Sequence, residues 1–348
     1  MYAKMESQQD EVVIPVGLEK RGQDILIVSL RLPRKYYRDP FFVDSLASSF
    51  DIVRSEIKLP GEDELLARPV HYDPKDDRVV FTSLGEFISK YSNKETGSKL
   101  GFIFHMSRCG STLMTQMLAT NNRFFVLSEP PIINAVLDPA LIISAKERED
   151  LVKSAINALV NCSPHVCEWT FIKFRSWNTF FIDPILKKFP NTHWMFIHRN
   201  GLEVLPSVTE KPPGWLRSRK LYSEHFSKVL GVDQPLIHKM SQDEYVARIL
   251  GKFCYIANYL RTEKSLSVDY KNLTKDFFSN IKELWGIDLT EKEKSDTSTT
   301  ARLYSKDVSK QIIFKSDSEE KRTRASEYQI ELVKRFVESE RLKLIQEV

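Results

Sequence analysis

Residues 102–121 read Phe-Ile-Phe-His-Met-Ser-Arg-Cys-Gly-Ser-Thr-Leu-Met-Thr-Gln-Met-Leu-Ala-Thr-Asn, and no other stretch limits the fold as tightly. Residues 101–106 are apolar and partly aromatic or β-branched, which suits a buried strand of a parallel sheet. Gly110 lets the chain turn and approach a ligand without a Cβ in the way. Ser111 and Thr112 open a helix whose apolar positions, Leu113, Met114, Met117 and Leu118, fall on one face. Together these parts make a phosphate-cradling loop. Free N–H groups at the helix start attract an anion, and the helix dipole adds about 0.3–2 kcal/mol. Nucleotide hydrolases close such a loop with Gly-Lys-Ser/Thr, so that lysine reaches the terminal phosphates and the hydroxyl holds magnesium. Here Arg108 precedes the glycine, in Ser107-Arg108-Cys109-Gly110-Ser111-Thr112. The loop suits an anionic donor other than ATP, with Arg108 adding charge-assisted hydrogen bonds. The plainer alternative is a strand-to-helix turn with a solvated arginine.

A second constellation weighs against that alternative. Trp194-Met195-Phe196-Ile197-His198 reads as another buried strand, Arg199 stands at its end, and Ser207 lies eight positions on. Ligands of open α/β sheets bind outside the carboxyl ends of the strands. An arginine and a hydroxyl presented there can clamp a second phosphate.

With both motifs in view, the chain resembles the sulfotransferase family, whose donor is 3′-phosphoadenosine 5′-phosphosulfate (PAPS). Ser107 to Thr112 is similar to the family's Pro-Lys-Ser-Gly-Thr-Thr loop, with arginine in the lysine place, and Arg199 with Ser207 matches its 3′-phosphate pair. Val268-Asp269-Tyr270-Lys271-Asn272-Leu273 followed by Leu284-Trp285-Gly286-Ile287 looks like the family's "Tyr-Glu-Asp-Leu" turn and capped helix. Phe171-Ile172-Lys173 looks like the strand bearing a second catalytic lysine, which implies that Lys173 touches the transferring sulfonate. The resemblance covers residues 100–330 and is nearest to bacterial-type small-molecule enzymes with an Arg-Cys-Gly-Ser-Thr loop. It implies a three-layer α/β fold with a central parallel sheet and a P-loop nucleotide-binding domain over residues 99–348; residues 1–98, outside the resemblance, are expected to form a small N-terminal α+β cap. It implies PAPS as donor, adenosine 3′,5′-bisphosphate as product, no metal requirement, and a small-molecule acceptor. A homodimer is compatible with it.

One departure bears on mechanism. The cytosolic animal enzymes carry a general-base histidine two positions after that lysine; this chain has Arg175 there, which stays protonated. Glu129, in Leu127-Ser128-Glu129-Pro130-Pro131, is the candidate base, because it follows the strand at residues 124–127 and emerges on the ligand side. Some bacterial-type relatives are similar in placing a glutamate there. It also reads as a solvated carboxylate before a Pro-Pro turn. His105 and His198 lie in apolar strands and read as core histidines, and His193 as a surface loop residue.

Near the end, Lys321 and Arg322 resemble in position the family's C-terminal basic segment, although the animal-type Arg-Lys-Gly signature is absent. On the residues alone they read rather as i,i+4 partners on an exposed helix face. Cofactor-binding residues are thus expected to be Arg108, Cys109, Gly110, Ser111, Thr112, Arg199, Ser207, Lys321 and Arg322; catalytic ones, Arg108, Glu129 and Lys173. The two sockets are expected to stand apart and grip opposite ends of one adenosine compound.

Composition sets the outer limits. A formal charge of +4 on 348 residues fits an anionic nucleotide but is too dispersed for nucleic acid. No apolar run is long enough to span a bilayer, and residues 1–16 are charged and polar, so no membrane and a cytoplasmic location are expected. Four cysteines, Cys109, Cys162, Cys167 and Cys254, form no disulfide framework, as in a reducing compartment. Cys162, His165 and Cys167 lack a further pair to complete a zinc site. Cys109, inside an anion-binding loop, is expected to have a lowered pKa.

Along the chain, residues 1–22 read as a frayed polar start, 24–32 as a strand, 39–50 and 84–91 as helices, and 51–77 as broken by Pro and Gly. Residues 94–98 read as a linker, 140–160 and 243–260 as long helices, 211–220 as a loop or lid near the 3′-phosphate end, and 330–344 as an amphipathic helix packed on the sheet. Two other functions remain open at this point: a small-molecule kinase, which needs Gly-Lys-Ser/Thr and a magnesium-binding carboxylate, and a non-catalytic nucleotide-binding protein that keeps Arg199 and Ser207 without a base. The acceptor, whether oxygen or nitrogen, is not written in these residues.

Overall fold

The structure is a computed structural model that describes residues 10–50, 70, 72–94, 97–303, 305, 307, 311–312 and 318–346. Its centre is a five-stranded parallel sheet in the order β5-β6-β4-β7-β8, from Lys99–His105 (β4), Phe124–Ser128 (β5), Trp169–Lys173 (β6), His193–His198 (β7) and Ser265–Asp269 (β8). Each strand leads into a helical segment before the next, so the carboxyl ends of all five lie along one edge. Four of the five are almost wholly buried, as continuous apolar runs covered by helices must be. This is the three-layer α/β architecture expected from the sequence.

A three-stranded antiparallel sheet precedes it, made of Glu11–Arg21 (β1), Asp24–Pro33 (β2) and Val79–Ser83 (β3) in sequential order. The reading of residues 1–22 as a polar start is corrected here. Val12, Ile14 and Val16 alternate inward and are buried, a strand signal that the flanking charges obscured. Pro15 is tolerated because β1 is an edge strand whose register shifts between Pro15 and Gly17. The sheet packs through β1 on the Pro131–Leu137 and Ala145–Val160 helices, and its core is continuous with that of the parallel sheet. His193 begins β7 half-buried rather than lying in a surface loop. The expectation for residues 51–77 falls mostly outside the described residues, as do two positions of the 94–98 linker. Among the described residues no helix is long and apolar enough to cross a membrane.

The chain ends in the Glu327–Val333 helix, a π-helical turn at Lys334–Glu338, and the Ser339–Lys343 helix. This segment lies so close to the Gln242–Tyr259 helix that a Cβ on Gly251 would stand 1.8 Å from the Phe336 carbonyl oxygen. Gly251 is thus required for the close approach, and the neighbouring atom is backbone, which cannot swing away. Replacing Gly251 with Ala gains about 1 kcal/mol of helix propensity but forces two helices apart, at a cost of about 1–3 kcal/mol or more. We predict a lowered melting temperature for Gly251→Ala; an unchanged or raised one contradicts this packing.

Candidate active site

The first anion site follows from the exit of β4. Ser107 and Arg108 adopt positive φ (81° and 47°), as does Gly110 at 84°. Non-glycine residues rarely adopt this conformation, and such strain collects at functional sites. The Ser107 N–H donates to His105 Nδ1 at 3.1 Å, which ties the turn to the strand end. Gly110 is the N-cap of the Ser111–Ala119 helix, and no side chain caps that helix start. Its first-turn N–H groups are therefore directed at the space in front of the loop. Glycine is required twice over, because a Cβ at 110 would also meet the Tyr270 ring at 2.6 Å. Arg108 lines the cleft, and its Nη2 donates to Lys211 O at 2.8 Å. Cys109 departs from the expected lowered pKa. Its side chain is fully buried, its Sγ–H donates to Ile197 O at 3.1 Å, and burial pushes the thiol up to about 12. The loop's anion site is backbone on the outside, and the thiol points into the core.

The second site starts at the end of β7. The Arg199 N–H donates to Met106 Sδ at 3.1 Å, so the two strand ends are joined. Arg199 Nε lies 2.5 Å from Glu203 Oε2, one helical turn on, and its guanidinium stacks 4.2 Å from the centre of the Tyr270 ring. Nη1 donates to Arg108 O at 3.4 Å. Ser207 sits in the Gly201–Glu210 helix on the wall of the same cleft, and Lys321 lines it from the C-terminal segment. Arg322 lies behind, with Nη2 2.7 Å from Glu203 Oε1. It was expected on the nucleotide; in this structure it pairs with a buried carboxylate and lines a second cleft that Arg199 also faces.

The spacing also differs from the sequence expectation. The two sockets adjoin, with Arg199 touching the backbone of Arg108, rather than standing an adenosine apart. Adjacent sockets can hold two anionic groups of one ligand.

The third group gathers around Glu129, which leaves β5 with a positive φ of 59° and a backbone N–H donated to Lys173 O at 2.7 Å. Its carboxylate pairs with Lys173 Nζ at 2.8 Å and Arg175 Nε at 3.4 Å. Burial on its own raises the Glu129 carboxyl, but the charges of Lys173 and Arg175 chiefly outweigh it and hold the group down at about 2. Glu129 and Arg175 face the cleft. Lys173, expected to touch the sulfonate, is completely buried behind Glu129, with Phe41 across its ammonium at 5.2 Å.

One cleft of about 460 Å³ collects the loop, Arg199, Ser207, Lys321 and Glu129. Its remaining wall comes from residues that sequence reasoning left without a role. Phe41, Val43 and Asp44 bring the N-terminal region to the Glu129 end. Trp215 stands in the short Gly214–Arg217 helix, inside the expected 211–220 loop, and its Nε1 donates to Ser176 Oγ at 3.1 Å. Tyr270 lies between the two sockets; its place after β8 was visible, its packing on Gly110 and Arg199 was not. Among the described residues no group of three or more His, Cys, Asp or Glu is arranged to hold a metal ion.

No family model matches the sequence, and no curated protein is similar to it. Similar solved structures include two bacterial proteins. One is the sulfotransferase STF9 from Mycobacterium avium, at 12% identity over 62% of this chain and 71% of that one, with a TM-score of 0.40. The other is the sulfotransferase domain of the Synechococcus PCC 7002 olefin synthase, at 15% identity over 70% of this chain and 96% of that one, with a TM-score of 0.42. These likenesses are remote, and the functional reading below rests on the residues of the cleft.

The Glu129 pairing has a pH signature. A carboxyl held at about 2 in the fold, against an ordinary 4.5, contributes stability above pH 4.5 that disappears as pH falls toward 2. Glu129→Gln leaves Lys173 buried without its counter-charge, which costs about 3–5 kcal/mol at pH 7. Denaturant unfolding of both proteins should show that gap closing between pH 4.5 and 2; a gap independent of pH contradicts the ion pair.

Proposed function

We propose that the protein transfers a sulfonate group from 3′-phosphoadenosine 5′-phosphosulfate to a hydroxyl or amine of a small-molecule acceptor. The observation that carries this reading is the meeting of two adjoining anion sockets and an ionised carboxylate in one cleft. The uncapped start of the Ser111–Ala119 helix, with Arg108 beside it, suits the 5′-phosphosulfate. Arg199, Ser207 and Lys321 suit a 3′-phosphate held close to it.

In the reaction a bond forms between the acceptor atom and sulfur while the bond from sulfur to the 5′-phosphate oxygen breaks. The products are a sulfonated acceptor and adenosine 3′,5′-bisphosphate. Loop N–H groups and Arg108 stabilise charge as it gathers on the leaving phosphate. Glu129 is ionised and faces the cleft, so it is placed to take the acceptor proton. Held at about 2, it is a weak base toward a free alcohol, and proton transfer accompanies formation of the bond to sulfur. Lys173 acts from behind, keeping Glu129 charged and aimed. Phe41, Val43 and Trp215 give the acceptor end apolar walls. No metal takes part in this scheme.

Calorimetry tests the donor. Adenosine 3′,5′-bisphosphate is expected to bind without magnesium and at least about tenfold more tightly than ATP with magnesium, a difference of about 1.4 kcal/mol. Arg108→Ala is expected to lower turnover by about 10²-fold or more. Preferential binding of magnesium-ATP would instead indicate a kinase, and full activity of Arg108→Ala would remove the assigned role of the loop.

A further inference from the structure

Glu203 is absent from the sequence-based site, yet it is the most heavily engaged acidic residue near the second socket. It is 4% exposed. Its two oxygens are divided between two arginines from distant parts of the chain. Oε2 accepts from Arg199 Nε at 2.5 Å, and Oε1 accepts from Arg322 Nε at 2.7 Å, across 119 residues of sequence. Glu203 does not line the main cleft. It borders a second cleft of about 560 Å³ behind it, and Arg199 faces both spaces. Arg322 leaves the short Ser318–Thr323 helix one residue after Lys321, which does line the main cleft.

A carboxylate this deeply buried needs both partners to remain ionised. In return it fixes both. With Nε of Arg199 held by Glu203, Nη1 donates to the Arg108 carbonyl beside the cleft. Taking Arg322 draws the C-terminal segment down onto the Gly201–Glu210 helix and sets Lys321 at the cleft wall.

We propose that Glu203 is a positioning residue that makes the cleft selective for a 3′-phosphorylated nucleotide, by aiming Arg199 and tethering the Lys321–Arg322 segment, without touching the nucleotide itself. This rests on the donor assignment made above.

The test compares adenosine 3′,5′-bisphosphate with AMP by calorimetry on the whole protein, and follows hydrogen exchange across residues 318–325 without ligand. In the wild type the bisphosphate binds more tightly. Glu203→Gln is expected to cut that preference by about tenfold or more, leave AMP affinity within about twofold, and speed exchange over the segment. Glu203→Asp restores part of the preference. Arg322→Ala alters a side chain that is 56% exposed and leaves Glu203 its contact with Arg199, so it tests the tether should Glu203→Gln fail to fold. A smaller loss of preference and the same faster exchange are expected from it. Wild-type preference retained in the variants, or equal weakening of both nucleotides, overturns the role of Glu203 and leaves the donor assignment standing. A wild type with no preference overturns both.

Discussion

Cations buried at the carboxyl edge of the parallel sheet are each matched by a carboxylate, and the cleft depends on that pairing. Lys173 ends β6 and meets Glu129. Arg199 follows β7 and meets Glu203. Arg341, from the last helix, meets Asp269 at the end of β8 at 3.0 Å and Glu338 at 2.7 Å. Each charge on its own would cost several kcal/mol to take out of water, and removal of one partner leaves that cost uncompensated. The pairs therefore hold side chains at fixed places along the edge that forms the cleft.

The two ends of the chain complete this edge from outside. The N-terminal sheet packs on the helices after β5, and the segment that leaves it sets Phe41 against Lys173 and the cleft. At the other end, Glu338 accepts from the Gly201 N–H at 2.8 Å, so the C-terminal helices are pinned to the start of the helix that carries Glu203 and Ser207. His198 lies beneath this network; burial holds it down at about 4, so it stays neutral and adds no charge to the crowded edge. Tyr270 packs against Gly110 on one side and Arg199 on the other, so the loop and the second socket share one packing surface.

Much of this was legible in the sequence, and the rest was hidden for identifiable reasons. The buried strands announced themselves as apolar runs, and the positions of Arg108, Gly110, Arg199 and Glu129 at strand exits followed from the alternation of strands and helices. β1 was missed because charged neighbours masked the inward alternation of Val12, Ile14 and Val16. Cys109 was assigned the electrostatics of its loop, whereas its side chain faces the core. The contacts of Glu203 with Arg322 and of Tyr270 with Gly110 join residues far apart in sequence, and spacing carries no sign of them. Lys173 matched a strand position, but whether it faced ligand or carboxylate depended on a neighbouring strand.

The central claim is that one cleft holds donor and acceptor together for transfer. Its most direct measurement is a mass-spectrometric count of sulfonated products and of adenosine 3′,5′-bisphosphate after incubation of the protein with donor and a metabolite extract. The account predicts a sulfonated metabolite formed in equal amount to the bisphosphate and absent without protein. Bisphosphate release with no sulfonated product, or no change in donor at all, would contradict it.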